Sequence, residues 1–238
     1  MKKPFYALFI FLYIFTLLPI TVYANSAEPP ALIVLIENAP EDISISVISS
    51  DALTEGSKRE MAWETYFAFY YRDFAERDEI LLLVSGNNIS YETFINQEYL
   101  KGYNSIVTLD FENQHIYPGK LLSRTILLVG LRIFLTLIIE SLIFFIFGFR
   151  EKKSWLIFLC INLVTQGMLN ISISQFTPFS SYILLNLIFW EIIILFVEMI
   201  AFLVLLKEHK KLKRILYAIT ANIASLILGG YLITVLPV

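Results

Sequence analysis

Hydrophobic and polar positions fall in short, turn-separated runs over the first half of the chain and in long apolar stretches over the second. ALIVLIE at Ala31–Glu37 and ISISVIS at 43–49 are rich in β-branched residues and are separated by the turn cluster NAPED. In WETYFAFYY, Trp63, Thr65, Phe67, Phe69 and Tyr71 share one face at period two. That spacing and the aromatic density favour a strand; the helical alternative aligns Trp63, Phe67, Tyr70 and Phe74. EILLLVS and SIVTLDF add strands around 81–85 and 105–111. Residues 90–102 read as a short helix, with Ser90 as N-cap and Gly102 just past its end. Five or more short strands in one segment predict a sandwich- or barrel-like module.

Four apolar segments follow, at about 122–149, 155–173, 182–206 and 215–236. Each approaches or exceeds the ~20 residues that span a hydrocarbon core. The first 24 residues read as a secretory signal: Lys2 and Lys3, an apolar run from Phe5, Pro19, then small residues at Val22 and Ala24. Cleavage is expected after Ala24, the alternative being a retained anchor. The expected organisation is therefore a signal peptide (1–24), an extracytoplasmic β-rich domain (25–120) and a four-helix transmembrane domain (121–238). The fold class is α+β, a sandwich-like domain followed by a membrane bundle. The β-rich part is expected to fold without the bundle.

Charge sharpens this division. Residues 25–120 carry 16 acidic and 6 basic residues, a net of −10, whereas residues 121–238 carry 5 and 10, a net of +5. The sign changes near the turn-forming Pro118–Gly119. Arg150, Lys152 and Lys153 occupy the loop after the first span, and Lys207, Lys210, Lys211, Lys213 and Arg214 the loop after the third. The loop SQFTPFSS between them has no charge. The positive-inside tendency makes the two basic loops cytoplasmic and leaves SQFTPFSS, residues 25–120 and the last residues outside. The signal sequence gives the same orientation independently.

Composition excludes several classes. With 57% apolar residues and a mean hydropathy of +0.69, the chain is neither disordered nor an ordinary soluble domain. A net charge of −3 offers no basic footprint for nucleic acid. Cys160 stands alone, which excludes internal disulfides and multi-cysteine metal sites. Both histidines, His115 and His209, lie outside the spans, so neither an HExxH metalloprotease nor a Ser–His hydrolase fits. No Asp follows Asp110, and no phosphate-binding glycine motif occurs. No catalytic residue, metal site or cofactor is expected.

The unusual residues are polar ones within the spans: Arg132, Glu140, Asn162, Gln166, Asn170, Glu191, Glu198 and Asn222. A charge near a helix centre costs about 2.5–3.5 kcal/mol on insertion scales, so such groups face the bundle interior and pair there. A step of four residues advances about 40° around a helix, so Arg132, Thr136 and Glu140 form one stripe and Asn162, Gln166 and Asn170 another. Depths estimated from segment midpoints separate two layers. The inner is a candidate polar site of Glu140, Asn162, Gln166, Glu198 and Asn222; the outer is a candidate ion pair between Arg132 and Glu191. Amides and ion pairs serve as interhelical glue, but two acids without a base also suit a proton or cation pathway.

The segments RIFLTLIIESLIFFIFGFREKKSW, INLVTQGMLNI, WEIIILFVEMIAFLV and ITANIASLILGG together resemble a group of bacterial membrane proteins. These carry an exported β-rich domain ahead of four spans, and their function is uncharacterised. The resemblance covers about 124–230 and rests on the positions of Glu140, Asn162, Glu191, Glu198 and Asn222. It implies a class and no residue roles. Two functions stay open. One is a non-enzymatic envelope protein whose outer domain binds a protein partner or ligand while the bundle, embedded in the lipid bilayer, anchors it. The other is a transporter or channel-like subunit using the inner acidic layer, which at four spans needs a homo-oligomer or partner to enclose a path.

Overall fold

A computed structural model describes residues 29–48, 53–70, 79–100 and 103–238. The signal sequence and its cleavage site, Tyr71, Phe74 and Gly102 lie outside these residues. The chain is α+β: a β-rich region of two sheets, then four long apolar helices.

Nine strands are described: β1 Ala31–Glu37, β2 Ser44–Ile48, β3 Leu53–Glu55, β4 Ser57–Met61, β5 Glu64–Tyr70, β6 Glu79–Gly86, β7 Ile89–Asn96, β8 Asn104–Asp110 and β9 His115–Pro118. One sheet has the order β4-β5-β1-β8-β9 and the other β3-β2-β6-β7. All pairs are antiparallel except β1 with β8, which is parallel. The inner faces share one core, with Leu32, Val34, Phe67, Phe69 and Val107 from the first sheet meeting Ile45, Val47, Leu82, Val84 and Ile95 from the second.

The first sheet is also covered on its outer face. Ala31, Ile33, Leu35, Tyr66 and Ala68 form a second cluster, against which Phe179 of the loop between the second and third helices packs. Central strands buried on both faces read as continuous apolar runs rather than alternations. That is why ALIVLIE and TYFAFY show no apolar–polar alternation, and why residues on both faces of β5 are buried, not only the face of Thr65, Phe67 and Phe69. The sheet rests on the bundle end, a cover that the expectation of an independent domain did not include.

The helix expected over 90–102 is instead strand β7 followed by a short 3-10 turn at Gln97–Tyr99. Asn87 and Asn88 hold φ of 48° and 59°, the conformation of a two-residue hairpin loop, and Gly86 pairs with Ile89 across it. The turn extends the hairpin, so Ser90 pairs with Ser85 in the ladder instead of capping a helix. Tyr91, Thr93 and Ile95 then point inward at period two.

The helices are α1 Leu122–Ile146, α2 Lys152–Ile173, α3 Ile183–Leu205 and α4 Lys211–Val235, each long and apolar enough to cross a membrane. Each packs against its chain neighbours, and α4 closes the ring against α1. Outward faces carry exposed apolar side chains such as Leu127, Phe134, Ile192 and Ile227, as lipid contact requires. The helices α2 and α4 begin earlier than hydropathy predicts, because lysines are good helix formers and extend a helix past the hydrocarbon edge. Helix α1 stops before the expected 149. Gly148 (φ 81°) takes a left-handed conformation, its N–H donates to the Phe145 carbonyl, and the Phe149 N–H donates to the Phe144 carbonyl. This Schellman geometry is closed by Phe144 and Phe149 stacked at 4.2 Å.

Candidate functional site

Polar groups gather in three places along the molecule: the junction between sheet and bundle, the bundle interior, and a groove in the sandwich.

The junction is built on Glu64, the first residue of β5, and Arg124, in the first turn of α1. Their side chains are almost fully buried and meet as a two-pronged pair, Nε to Oε1 at 2.6 Å and Nη2 to Oε2 at 2.7 Å. The Tyr66 hydroxyl donates to Glu64 at 2.5 Å and accepts from Arg124 at 2.7 Å. Arg124 also donates to the Val238 carbonyl at 3.0 Å. Nearby, Lys120 donates to the carbonyls of Ser174 (2.7 Å), Val238 (2.9 Å) and Phe176, and Arg59 donates to the Pro178 carbonyl. The sheet, the 174–181 loop and the last residues are thereby tied together at one end of the bundle. Burial, reinforced by the charges of Arg124 and Arg132 and opposed by Glu64, pushes the Lys120 amine down to about 7.

In the bundle, all eight polar residues singled out from the sequence are buried and face inward. Glu198 accepts from Thr165 at 2.7 Å and from Asn222 at 2.8 Å. Glu140 accepts from Gln166 at 3.3 Å, and Gln166 also donates to Ser225 at 3.2 Å. Ser225 in turn donates to Glu191 at 3.3 Å. Glu140, Gln166, Ser225 and Glu191 thus join all four helices in one hydrogen-bonded set, and Glu198 with Thr165 and Asn222 forms a second; the bundle interior holds three carboxyl groups, not two. Close approach of α3 and α4 is set by the small residues Ala221, Ser225 and Gly229; a Cβ at Gly229 would meet Leu187 at 3.4 Å. Asn162 and Asn170 donate to carbonyls one turn back, of Phe158 and Gln166, both at 2.9 Å.

No salt bridge joins Arg132 to Glu191. Arg132 donates instead to the Pro237 carbonyl, on the junction side, while Glu191 is linked to Glu140 through Ser225 and Gln166. The two layers expected from helix depth are therefore divided differently: Arg132 belongs with the cations, Glu191 with the acids. Among the described residues, one oxygen each of Glu140 and Glu191, the amide oxygens of Asn162 and Asn222, the Tyr217 hydroxyl and Arg132 Nε find no hydrogen-bond partner.

Apolar plugs close the network on both sides. Phe144, Phe149, Phe158, Phe202 and Tyr217 seal the end with the basic loops, and Leu169, Ile173, Ile183, Leu187 and Ile233 the junction end. The cavity beside Arg132, Gln166 and Glu191 measures about 10 Å³, and neither Glu140 nor Glu198 lines it. At the basic end, the Glu208 carboxylate accepts the backbone N–H groups of Arg150 (2.7 Å) and Glu151 (3.2 Å), the two residues that lead into α2. Arg214 donates to the carbonyls of Leu203 (2.9 Å) and Leu206, closing the end of α3.

The groove lies in the sandwich. It encloses about 610 Å³ between the Asn87–Asn88 turn, the β8–β9 turn and the 38–40 turn. Its lining includes Glu37, Ile89, Asp110, Phe111, Glu112 and Tyr117. Asp110 accepts from Asn113 through its amide at 2.9 Å and its backbone N–H at 3.0 Å, which holds the Asp110 carboxyl below its usual range. The Glu37 carboxyl is pushed up by burial and by Glu64, with Arg124 opposing. Sequence reading missed the groove and the Glu64–Arg124 pair. Groove residues come from turns far apart in sequence, and nothing in local periodicity links positions 60 residues apart.

The fold and these sites define a four-helix membrane-type bundle capped by a two-sheet β region. No protein-family model, curated protein or solved structure matches the chain.

Proposed function

We propose that this chain is a non-enzymatic envelope binding protein. Its exported sandwich takes a ligand or protein partner in the groove, and its bundle is the membrane anchor. The observation that carries this reading is the contrast in open space. The sandwich has a groove of about 610 Å³, within the ~300–1,000 Å³ of ligand sites. The cavity beside Arg132, Gln166 and Glu191 in the bundle holds about 10 Å³, room for roughly one water, between two apolar plugs. A path for a proton or cation needs continuity that such packing does not offer. The junction also favours anchoring, since the buried Glu64–Arg124 pair fixes the sandwich to α1.

The orientation places the sandwich, the 174–181 loop and the last residues outside, and the basic loops inside. It is supported by the clustering of the first three at one bundle end and of Lys152, Lys153, Lys207 and Lys211 at the other. In a Cys160→Ser background, cysteines at the exposed Gln114 and Ser181 should react with an impermeant maleimide on intact cells, and those at Lys152 and Lys211 only after lysis. The binding role is tested by a photo-crosslinking amino acid at Ile89 in the groove and at Leu53, on an edge strand of the second sheet. Discrete adducts at 89 alone are expected. Their absence, together with proton or cation flux into proteoliposomes that Glu198→Gln abolishes, would replace this reading with the transport one.

A further inference from the structure

We propose that the groove binds an organic polycation, a molecule carrying two or more separated ammonium or guanidinium groups. The inference rests on the binding reading above and names its ligand class.

Three carboxylates, Glu37, Asp110 and Glu112, line the groove, and among the described residues no Lys or Arg does. The sandwich around it is itself acidic, so the local potential draws cations towards the site. One Glu37 oxygen is buried without a hydrogen-bond partner. Across the strand pair Glu37 faces Glu64, whose charge Arg124 already neutralises. Glu37 is thus a surplus acid among the groove's lining residues. Phe111 and Tyr117 supply aromatic surface, Tyr117 held edge-to-face with His115 at 4.6 Å, and the electron-rich face of such a ring attracts a cation.

The spacing of the acids selects the kind of cation. A calcium ion needs several oxygens in one shell of roughly 2.3–2.6 Å. Among the described residues, no three acidic, histidine or cysteine side chains converge closely enough to hold a metal ion. Charges spread around a groove match positive centres spread along a flexible molecule instead. Both a small polyamine and a lysine- or arginine-rich peptide present that chemistry.

The test uses the full chain in nanodiscs, with spermine and tetra-lysine as probes and the fully side-chain-acetylated tetra-lysine peptide and calcium chloride as controls. Spermine or tetra-lysine should bind, more weakly as salt rises, and which of them binds tighter separates a polyamine from a peptide source. Glu37→Gln combined with Glu112→Gln should weaken binding at least tenfold with the melting temperature kept; Glu92→Gln, an exposed acid outside the groove, should change it less than twofold. Equal binding of the acetylated peptide would overturn the polycation while leaving the groove as a binding site. Competition by submillimolar calcium, or an equal loss in Glu92→Gln, would also overturn it. Absence of binding by every probe overturns it too, and the adducts at position 89 then decide whether the binding reading survives.

Discussion

The junction and the bundle interior both bury acids, and they treat them oppositely. At the junction one carboxylate meets one guanidinium with two parallel hydrogen bonds, and a tyrosine hydroxyl bridges them. In the bundle three carboxyl groups are held by hydroxyl and amide donors; among the described residues no cation pairs with them, and one oxygen each of Glu140 and Glu191 has no partner. The first arrangement specifies a geometry, because only one placement of sheet on helix satisfies it. The second links four helices through weaker, neutral donors and is open to rearrangement.

The largest effect should come from separating the two regions. A fragment of residues 25–120 exposes Ile33, Leu35, Tyr66 and Ala68 and strands Glu64. It should self-associate in gel filtration and melt below the sandwich in the whole chain. A monodisperse fragment of equal stability would show that the cover contributes nothing. Next, Arg124→Leu should destabilise the protein by about 3–5 kcal/mol, since it leaves a buried carboxylate alone. Adding Glu64→Leu should recover much of that loss in chemical unfolding, whereas no recovery would mean that Arg124 acts mainly through Val238.

In the bundle, Glu198→Leu strands the donors of Thr165 and Asn222 and should cost about 1–3 kcal/mol. Glu198→Gln keeps the shape and an acceptor, and should be neutral or mildly stabilising because an amide is cheaper to bury. Equal behaviour of both variants would remove the network from the account of stability.

A pH-dependent effect belongs to Lys120. Its amine is held near 7 by burial and by the charges of Arg124 and Arg132, whereas an unfolded lysine keeps its proton to about 10.4. Between those values the unfolded chain binds more protons, so the folded state gains stability as pH rises above about 7, by at most about 1.4 kcal/mol per pH unit. Lys120→Met should lack this slope, and melting of the two proteins at pH 6 and pH 9 measures it. A wild-type protein that loses stability relative to the variant over that range would reverse the sign.

What the sequence made legible follows from the range of the forces involved. Strand β1 and the four spans come from local hydropathy, and their observed bounds agree within a few residues. The inward stripes of α1 and α2 follow from helical period alone. Strand β7 was missed because two asparagines, rather than a glycine-containing pair, make its turn. The partner of Arg132 depended on how α4 ends, and that of Arg124 on a strand 60 residues earlier. Neither has a local signature.

The contrast between an open groove and a closed bundle is the central claim, and reagent accessibility measures it directly. In the Cys160→Ser background, Tyr117→Cys in the groove and Ser225→Cys in the bundle network would be exposed to a small water-soluble methanethiosulfonate in nanodiscs. Rapid modification at 117 and none at 225 on the same timescale is the predicted result. Comparable rates at both positions would mean that water reaches the acids, and would contradict the account.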